Sequence, residues 1–155
     1  TRHVDQWKAT VNGPAGSPYA DQRWQIEITF PSDYPSSPPQ YRFLTEIFHP
    51  CVMPSCGAMR HNLPKLREWP AGAIDCRCLG EGWASTVTVH MVLLEVRAMM
   101  QDPAAAVRSG VHGGVNQVAT QMLKDMPEVY RVIAAGLSAG ADAYLVHTLA
   151  SNGRS

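Results

Sequence analysis

The stretch from residue 28 to residue 50 reads ITFPSDYPSSPPQYRFLTEIFHP and determines the first half of the fold. It begins at the end of an alternating segment, QRWQIEITF (22–30). One face of that segment is apolar and carries Trp24, Ile26, Ile28 and Phe30. Such alternation is typical of a half-buried antiparallel strand. The proline-rich turn that follows leads into a second predicted strand, QYRFLT (40–45).

The rest of the chain adds one strand before this stretch and helices after it. Residues 5–11 (DQWKATV) alternate and precede the turn NGPAGSPY, so they predict a further strand. Residues 48–82 show no sustained period and predict a long loop, which is often functional in a compact domain. Helical spacing then predicts a helix from Val89 to Met100 with Thr88 as its cap, ended by Asp102-Pro103. Two more helices are predicted over 115–123 and from Pro127.

Strands followed by helices indicate an α+β domain with helices packed on one face of an antiparallel meander sheet. The 155 residues suit one domain, which we expect over 1–150 with a tail at 151–155. Hydrophobic residues make up 45% and charged residues 17%, as in ordinary globular proteins.

The charge and the apolar pattern argue against two classes of partner. Thirteen basic and 13 acidic residues cancel, so nothing predicts attraction to nucleic acid or anionic lipid. No apolar run approaches the roughly 20 residues that span a bilayer, and the first residues lack the apolar stretch of a secretory signal. The four cysteines fall within 51–78, which favours reduced thiols and a cytoplasmic or nuclear protein over a disulfide framework.

Four blocks, taken in order, resemble the ubiquitin-conjugating enzyme (UBC-fold) family. They are WKATVNGPAGSPY, the stretch 28–50 quoted above, WASTVTVHMVLLEVRAMMQDP and NQVATQMLKDMPEVYR. The resemblance implies the α+β UBC fold over nearly the whole chain. Family members carry an amphipathic helix before the first strand, and the sequence here begins almost at the strand.

The resemblance also implies two altered catalytic positions. In family members, His-Pro is followed by an asparagine that stabilises the oxyanion formed when a lysine attacks the thioester. The nucleophilic cysteine comes a few residues later, just after a glycine turn. Here His49 and Pro50 are followed by Cys51, and with Gly57 as the turn glycine the nucleophile position falls on Arg60, or on Met59. An arginine stays protonated and cannot act as a nucleophile. This pattern is similar to the non-catalytic ubiquitin-conjugating-enzyme variants and the AKT-interacting (Fused-toes-like) protein.

In a second alignment, the extra residues of the insertion 61–82 precede the nucleophile instead of following it. GAIDCRCL would then stand for the family's GxxCL, with Cys76 or Cys78 as the nucleophile of an active enzyme. Cys76 lies seven residues before Trp83. In short family members, the nucleophile precedes the corresponding tryptophan by about eight residues. The sequence leaves both alignments open.

A zinc site would need Cys51, Cys56, Cys76 and Cys78, with His49 or His61 as alternative ligands. Cys-x-Cys is not the usual zinc-binding spacing, and we therefore expect no bound metal and no cofactor.

The first alignment predicts a pseudo-enzyme that acts as an adaptor or structural subunit. Its partners would be proteins, with ubiquitin and an active conjugating enzyme as candidates, and neither nucleic acid nor membrane. Serines at 36 and 37 and Ala84-Ser85-Thr86 replace apolar anchors of the family's RING-binding groove. Trp69, in the insertion, is the expected contact outside the core, because tryptophan often anchors interfaces.

Overall fold

A computed structural model describes residues 5–55, 66 and 68–138. Its sheet has three antiparallel strands in the order β1 (Gln6–Asn12), β2 (Arg23–Thr29) and β3 (Gln40–Phe43). The register sets Val11 opposite Trp24 and Ile26 opposite Phe43. The three predicted strands and their meander order are therefore confirmed, with ends that differ by one or two residues.

The face of the sheet that the alternation predicted to be apolar is buried. Trp24, Ile26 and Ile28 are at most 1% exposed, and Tyr41 and Phe43 on β3 continue the same face. The opposite face is polar, and there Arg42 and Glu27 form an ion pair at 2.9 Å across β2 and β3. One buried face and one solvated face are what an antiparallel sheet covered on one side requires.

Within residues 68–138, four α-helices follow the long loop. They are α1 (Val89–Gln101), α2 (Pro103–Ser109), α3 (Gln117–Asp125) and α4 (Pro127–Ser138). Thr88 caps α1 as predicted, since its hydroxyl oxygen accepts the Met91 N–H at 3.2 Å. Asp102 ends α1, and its carboxylate also caps α2 through the Ala105 N–H at 3.0 Å. The helix α2 was not predicted, because Asp102-Pro103 was interpreted only as an end.

The helices bury their apolar stripes against one face of the sheet. The main core joins the sheet residues to Val92, Val96 and Met100 of α1 and to Met122 of α3. No helix in the described ranges has the length and apolar character needed to cross a membrane. A smaller cluster of Met53, Leu66 and Val115 lies beneath the insertion.

We expect the two tryptophans of the sheet to differ sharply in their contribution to stability. Trp24 is fully buried, so Trp24→Ala should lower the free energy of unfolding by about 3–5 kcal/mol. Trp7 is 57% exposed and contacts Phe30 edge-on, so Trp7→Ala should cost about 1 kcal/mol. Urea unfolding of both variants measures the difference. Equal losses would contradict the exposed position of Trp7.

Candidate functional site

The His49–Pro50 turn is held by a buried imidazole. His49 is 1% exposed, its Nδ1 accepts the Cys51 N–H at 3.0 Å, and its Nε2 lies 2.8 Å from the Met99 carbonyl oxygen. Because Nδ1 accepts, Nε2 carries the proton and donates to Met99. Burial lowers the pKa of His49 to about 4, so the ring is neutral at physiological pH. His49 therefore fixes the turn onto α1, and its geometry is structural.

The residue after this turn has a buried thiol. Cys51 is 0% exposed, and burial, with the nearby Asp75 charge as a smaller cause, raises its thiol pKa to about 12. Since the thiolate is the reactive form of cysteine, burial and the raised pKa both disfavour reaction at Cys51. A thiol also lacks the two amide N–H donors that an asparagine would offer at this place.

A short antiparallel ladder pairs residues 51–53 with residues 72–75. The Asp75 N–H donates to the Cys51 carbonyl at 2.8 Å, and the Met53 N–H donates to the Ala73 carbonyl at 2.8 Å. Between these bonds Val52 and Ile74 form a β-bridge, and Ala73 bridges to Arg42 of β3. The ladder brings residues 72–75 alongside residues 51–53 and puts Asp75 directly beside Cys51.

Gly72 sets the start of this ladder. Its φ is +85°, and a Cβ there would lie 2.2 Å from the Phe43 carbonyl oxygen. A side chain is thus excluded both by the backbone conformation and by the contact with β3. Gly72 is the glycine of the turn that precedes Asp75.

The Asp75 carboxylate is buried against His112. Its Oδ1 lies 3.0 Å from His112 Nδ1, and its Oδ2 accepts the His112 backbone N–H at 3.3 Å. The two side chains are only 2% and 12% exposed, respectively. The His112 ring also meets the Trp69 ring edge-on at 5.4 Å. Three segments of the chain therefore meet at Asp75.

Comparison with known proteins identifies the family. The family model described as ubiquitin-conjugating enzyme matches residues 1–135. The chain belongs to the ubiquitin-conjugating enzyme family.

Two individual similarities agree with this membership. The chain is 32% identical over 101 residues to "Ubiquitin conjugating enzyme E2 B" of Dictyostelium discoideum, a match that covers 65% of this chain and 57% of that protein. The chain thus spans little more than half the length of that relative. The solved E2 domain of a Toxoplasma gondii ubiquitin conjugating enzyme superposes with a TM-score of 0.69 at 24% identity. That match covers 87% of this chain and 79% of the solved chain, and it supports the UBC fold.

The two remaining described cysteines lie just beyond Asp75. Cys76 is 6% exposed and belongs to the main core, and Cys78 is half-buried in the short 3-10 helix Arg77–Leu79. A hydrogen bond from the Cys78 thiol lowers the pKa of Cys76, and the same bond together with burial raises the pKa of Cys78. Within this UBC domain the Cys76 side chain therefore faces the core.

Trp69 was expected to contact a partner outside the core. The structure packs it, partly buried, against the small cluster of Met53, Leu66 and Val115. It therefore helps to hold the insertion onto the UBC domain, and its role in partner binding stays a prediction.

Several predicted site residues lie outside the described residues. They are Cys56, Met59, Arg60 and His61. The assignment of the nucleophile position to Arg60 or Met59 therefore stays a prediction. Among the residues that the structure describes, no group of three or more His, Cys, Asp or Glu side chains could hold a metal ion.

Sequence reasoning missed Asp75 and His112. One signal for Asp75 was available, because it stands eight residues before Trp83, the spacing of the nucleophile in short family members. His112 had no such signal, since it follows α2, which was not predicted. The partnership of Asp75 with His112 spans 37 residues and depends on the tertiary fold.

The neutral state of His49 predicts a pH-dependent stability. Its folded pKa of about 4 lies below the unfolded value of 6.5, so the unfolded chain binds the proton more readily. The contribution of neutral His49 to the free energy of unfolding is complete above pH 6.5. It is lost progressively as the pH falls toward 4. At pH 5 the loss should be about 2 kcal/mol.

Urea unfolding of the native chain and His49→Gln at pH 7.5 and pH 5 measures this loss. The variant should lose about 2 kcal/mol less than the native chain between the two pH values. His90→Gln, at an exposed histidine of α1, is the control and should behave as the native chain. Equal pH dependence in the native chain and His49→Gln would contradict the assignment.

Proposed function

We propose that this domain is a non-catalytic member of the family that acts as an adaptor or structural subunit in a protein complex. The observation that carries the proposal is the ladder between residues 51–53 and 72–75. Together with the family's spacing to Trp83, this register favours Asp75, rather than Arg60 or Met59, at the nucleophile position.

A carboxylate at this position does not support thioester chemistry. Conjugation needs an accessible thiolate that is acylated by ubiquitin and then releases it to an amine. Asp75 has no thiol, and its carboxylate is buried in contact with His112. The neighbouring Cys51 offers a buried thiol where the family has an amide donor. Both changes favour loss of the catalytic function.

The surface that the family uses for RING ligases supports the same proposal. Ser36 and the segment 84–86 are exposed, and the Ser37 hydroxyl donates to Asp33 at 2.6 Å. These side chains offer no large apolar group that could fill a pocket on a ligase. Because buried apolar anchors supply most interface energy, we infer that RING binding is weak.

The partners that we propose are proteins, with ubiquitin and an active conjugating enzyme as the first candidates. The balanced charge gives no support to nucleic acid or a lipid surface. Reduced cysteines at 51, 76 and 78 are in keeping with a cytoplasmic or nuclear location.

The second candidate function is an active conjugating enzyme that uses Cys76 or Cys78. The lowered pKa of Cys76 favours it, because a larger thiolate fraction makes a better nucleophile. The burial of Cys76 in the core opposes it, since a thioester with ubiquitin requires access from outside. The raised pKa of Cys78 opposes it for the other thiol.

A thioester-charging assay separates the two functions. With activating enzyme, ATP and ubiquitin, we expect no adduct that dithiothreitol removes, while an active conjugating enzyme in the same assay is charged. An adduct on this chain that disappears in Cys76→Ser or Cys78→Ser would establish the second candidate.

Asp75→Cys tests the nucleophile position without an activating enzyme. Ubiquitin with a vinyl sulfone at its C-terminus alkylates an accessible thiol directly. The variant also loses the Asp75 carboxylate that holds His112 over this position. Because residue 75 is buried against His112, the substitution is combined with His112→Ala. We expect an adduct with Asp75→Cys/His112→Ala and none with the native chain, His112→Ala alone or Ala73→Cys, and peptide mapping should locate it at residue 75. A native chain that reacts equally well would contradict the assignment.

A further inference from the structure

Two cysteines, Cys76 and Cys78, lie on the tight turn that follows the ladder. The Leu79 N–H donates to the Cys76 carbonyl at 3.0 Å, and Arg77, between the cysteines, begins the 3-10 helix. With three residues per turn and a short rise, 3-10 conformation at Arg77 sets the Cα atoms of its two neighbours about 5 Å apart. A disulfide needs Cα atoms that are about 4.4–6.8 Å apart. The backbone of the turn therefore has a spacing that a disulfide can bridge.

The side chains of the two cysteines also meet. The Cys78 thiol donates a hydrogen bond to the Cys76 sulfur. Both side chains pack on the main core, with Cys76 as one of its buried members and Cys78 partly buried against it. Side chains that point apart cannot be bridged without movement of the backbone, and these two do not point apart.

The hydrogen bond between the two sulfurs gives them different reactivities. It is the largest cause that lowers the pKa of Cys76, because a thiolate accepts it more strongly than a neutral thiol does. It is also the largest cause that raises the pKa of Cys78. Since the thiolate is the nucleophile, Cys76 reacts first. Once Cys76 has lost its charge, the main cause that holds the proton on Cys78 is gone.

The position of the pair limits which reactants can reach it. Cys76 is 6% exposed, and it also lines a groove between β3 and residues 68–80, next to Leu79 and Gly80. Cys78 is half-buried. That exposure is too small for a protein to reach the Cys76 sulfur, but hydrogen peroxide is little larger than water. The pair therefore selects a small oxidant.

We propose that Cys76 and Cys78 form a modification site that hydrogen peroxide oxidises to an intramolecular disulfide. The Cys76 thiolate attacks one peroxide oxygen, so an S–O bond forms, the O–O bond breaks and hydroxide leaves. The Cys78 sulfur then attacks the Cys76 sulfur, the S–S bond forms, and the S–O bond breaks. The hydroxide released in this step takes the proton of the Cys78 thiol and leaves as water. The two thiols lose two electrons and two protons in all, and the peroxide is reduced to two waters.

The small ring makes this disulfide reversible. A bridge that encloses a single residue restricts the unfolded chain little, so it adds little to stability. Strained disulfides are also more easily reduced than structural ones, and a thiol reductant should restore the pair. The site does not depend on the proposed function, because it uses neither Asp75 nor a partner protein.

Tryptic mapping of the whole native chain tests the proposal, because Arg77 stands between the two cysteines. The chain is treated with equimolar hydrogen peroxide, its remaining thiols are blocked with N-ethylmaleimide, and it is unfolded and digested. Cleavage after Arg77 separates peptide 68–77 from peptide 78–97 in the reduced chain. In the oxidised chain we expect the two peptides to stay linked until dithiothreitol is added.

Two results of the mapping would overturn the proposal. One is that both peptides are separate and carry N-ethylmaleimide after the peroxide treatment. The other is that peptide 68–77 is linked to peptide 43–60, which contains Cys51 and Cys56. The charging assay tests the proposed function independently, so either result leaves that function undecided.

Substitution of each cysteine tests the order of the two steps. Cys78→Ser should stop the reaction at the sulfenic acid of Cys76, which dimedone traps, and Cys76→Ser should leave Cys78 unoxidised by the same peroxide. The matched control is Cys56→Ser, which should form the linked peptides as fully as the native chain. Melting temperatures of all three variants are measured alongside. Dimedone labelling of Cys51 or Cys56 in preference to Cys76 would contradict the site.

Discussion

The buried imidazole of His49 is the constraint on which the candidate site depends. It accepts a hydrogen bond from the Cys51 N–H and donates one to the Met99 carbonyl, so it joins the turn after β3 to the end of α1. The ring can do both only when it is neutral, and burial keeps it so. The Pro50 carbonyl adds bonds from the N–H groups of Val115 and Asn116. The turn is thereby held both by α1 and by the two residues that precede α3.

That rigid turn explains how the domain accommodates a long insertion. His49 and Pro50 fix the backbone of residues 51–53. Residues 72–75 then form backbone hydrogen bonds with this fixed segment. A longer loop between the two sides of the ladder adds little to the entropy cost of closing it, because loop-closure entropy grows slowly with loop length. The insertion can therefore vary in length without moving Asp75 relative to Cys51. Its own side chains gain stability from the small cluster around Met53 and Leu66.

The sheet and three of the helices could be predicted because their signals are local. Alternation in β2, the cap at Thr88 and the first-turn proline Pro127 depend on residues that are close in sequence. The helix α2 could not be predicted in this way, since PAAAVRS has a single large apolar residue and shows no periodicity. Asp102 also ends one helix and caps the next, and a stop signal in the sequence does not reveal the second role.

The candidate site was harder to predict because two glycines fit the same local pattern. Gly57 and Gly72 both follow His49-Pro50 at a spacing that permits a turn, and they place the nucleophile position on different residues. Only the contact of Gly72 with the Phe43 carbonyl, together with its positive φ, shows that this glycine has no substitute. Those two constraints come from β3, some thirty residues earlier in the chain, and a local motif does not contain them.

The pairing of Asp75 with His112 shows how the fold holds a buried carboxylate beside the His49–Pro50 turn. A lone carboxylate at so buried a place would carry a large desolvation cost, which the two N–H groups of His112 offset. The pair also ties the segment after α2 to the ladder. A catalytic thiol must stay accessible, whereas a binding surface gains from rigidity. In the proposed function, a closed and ordered position at Asp75 would suit recognition better than catalysis.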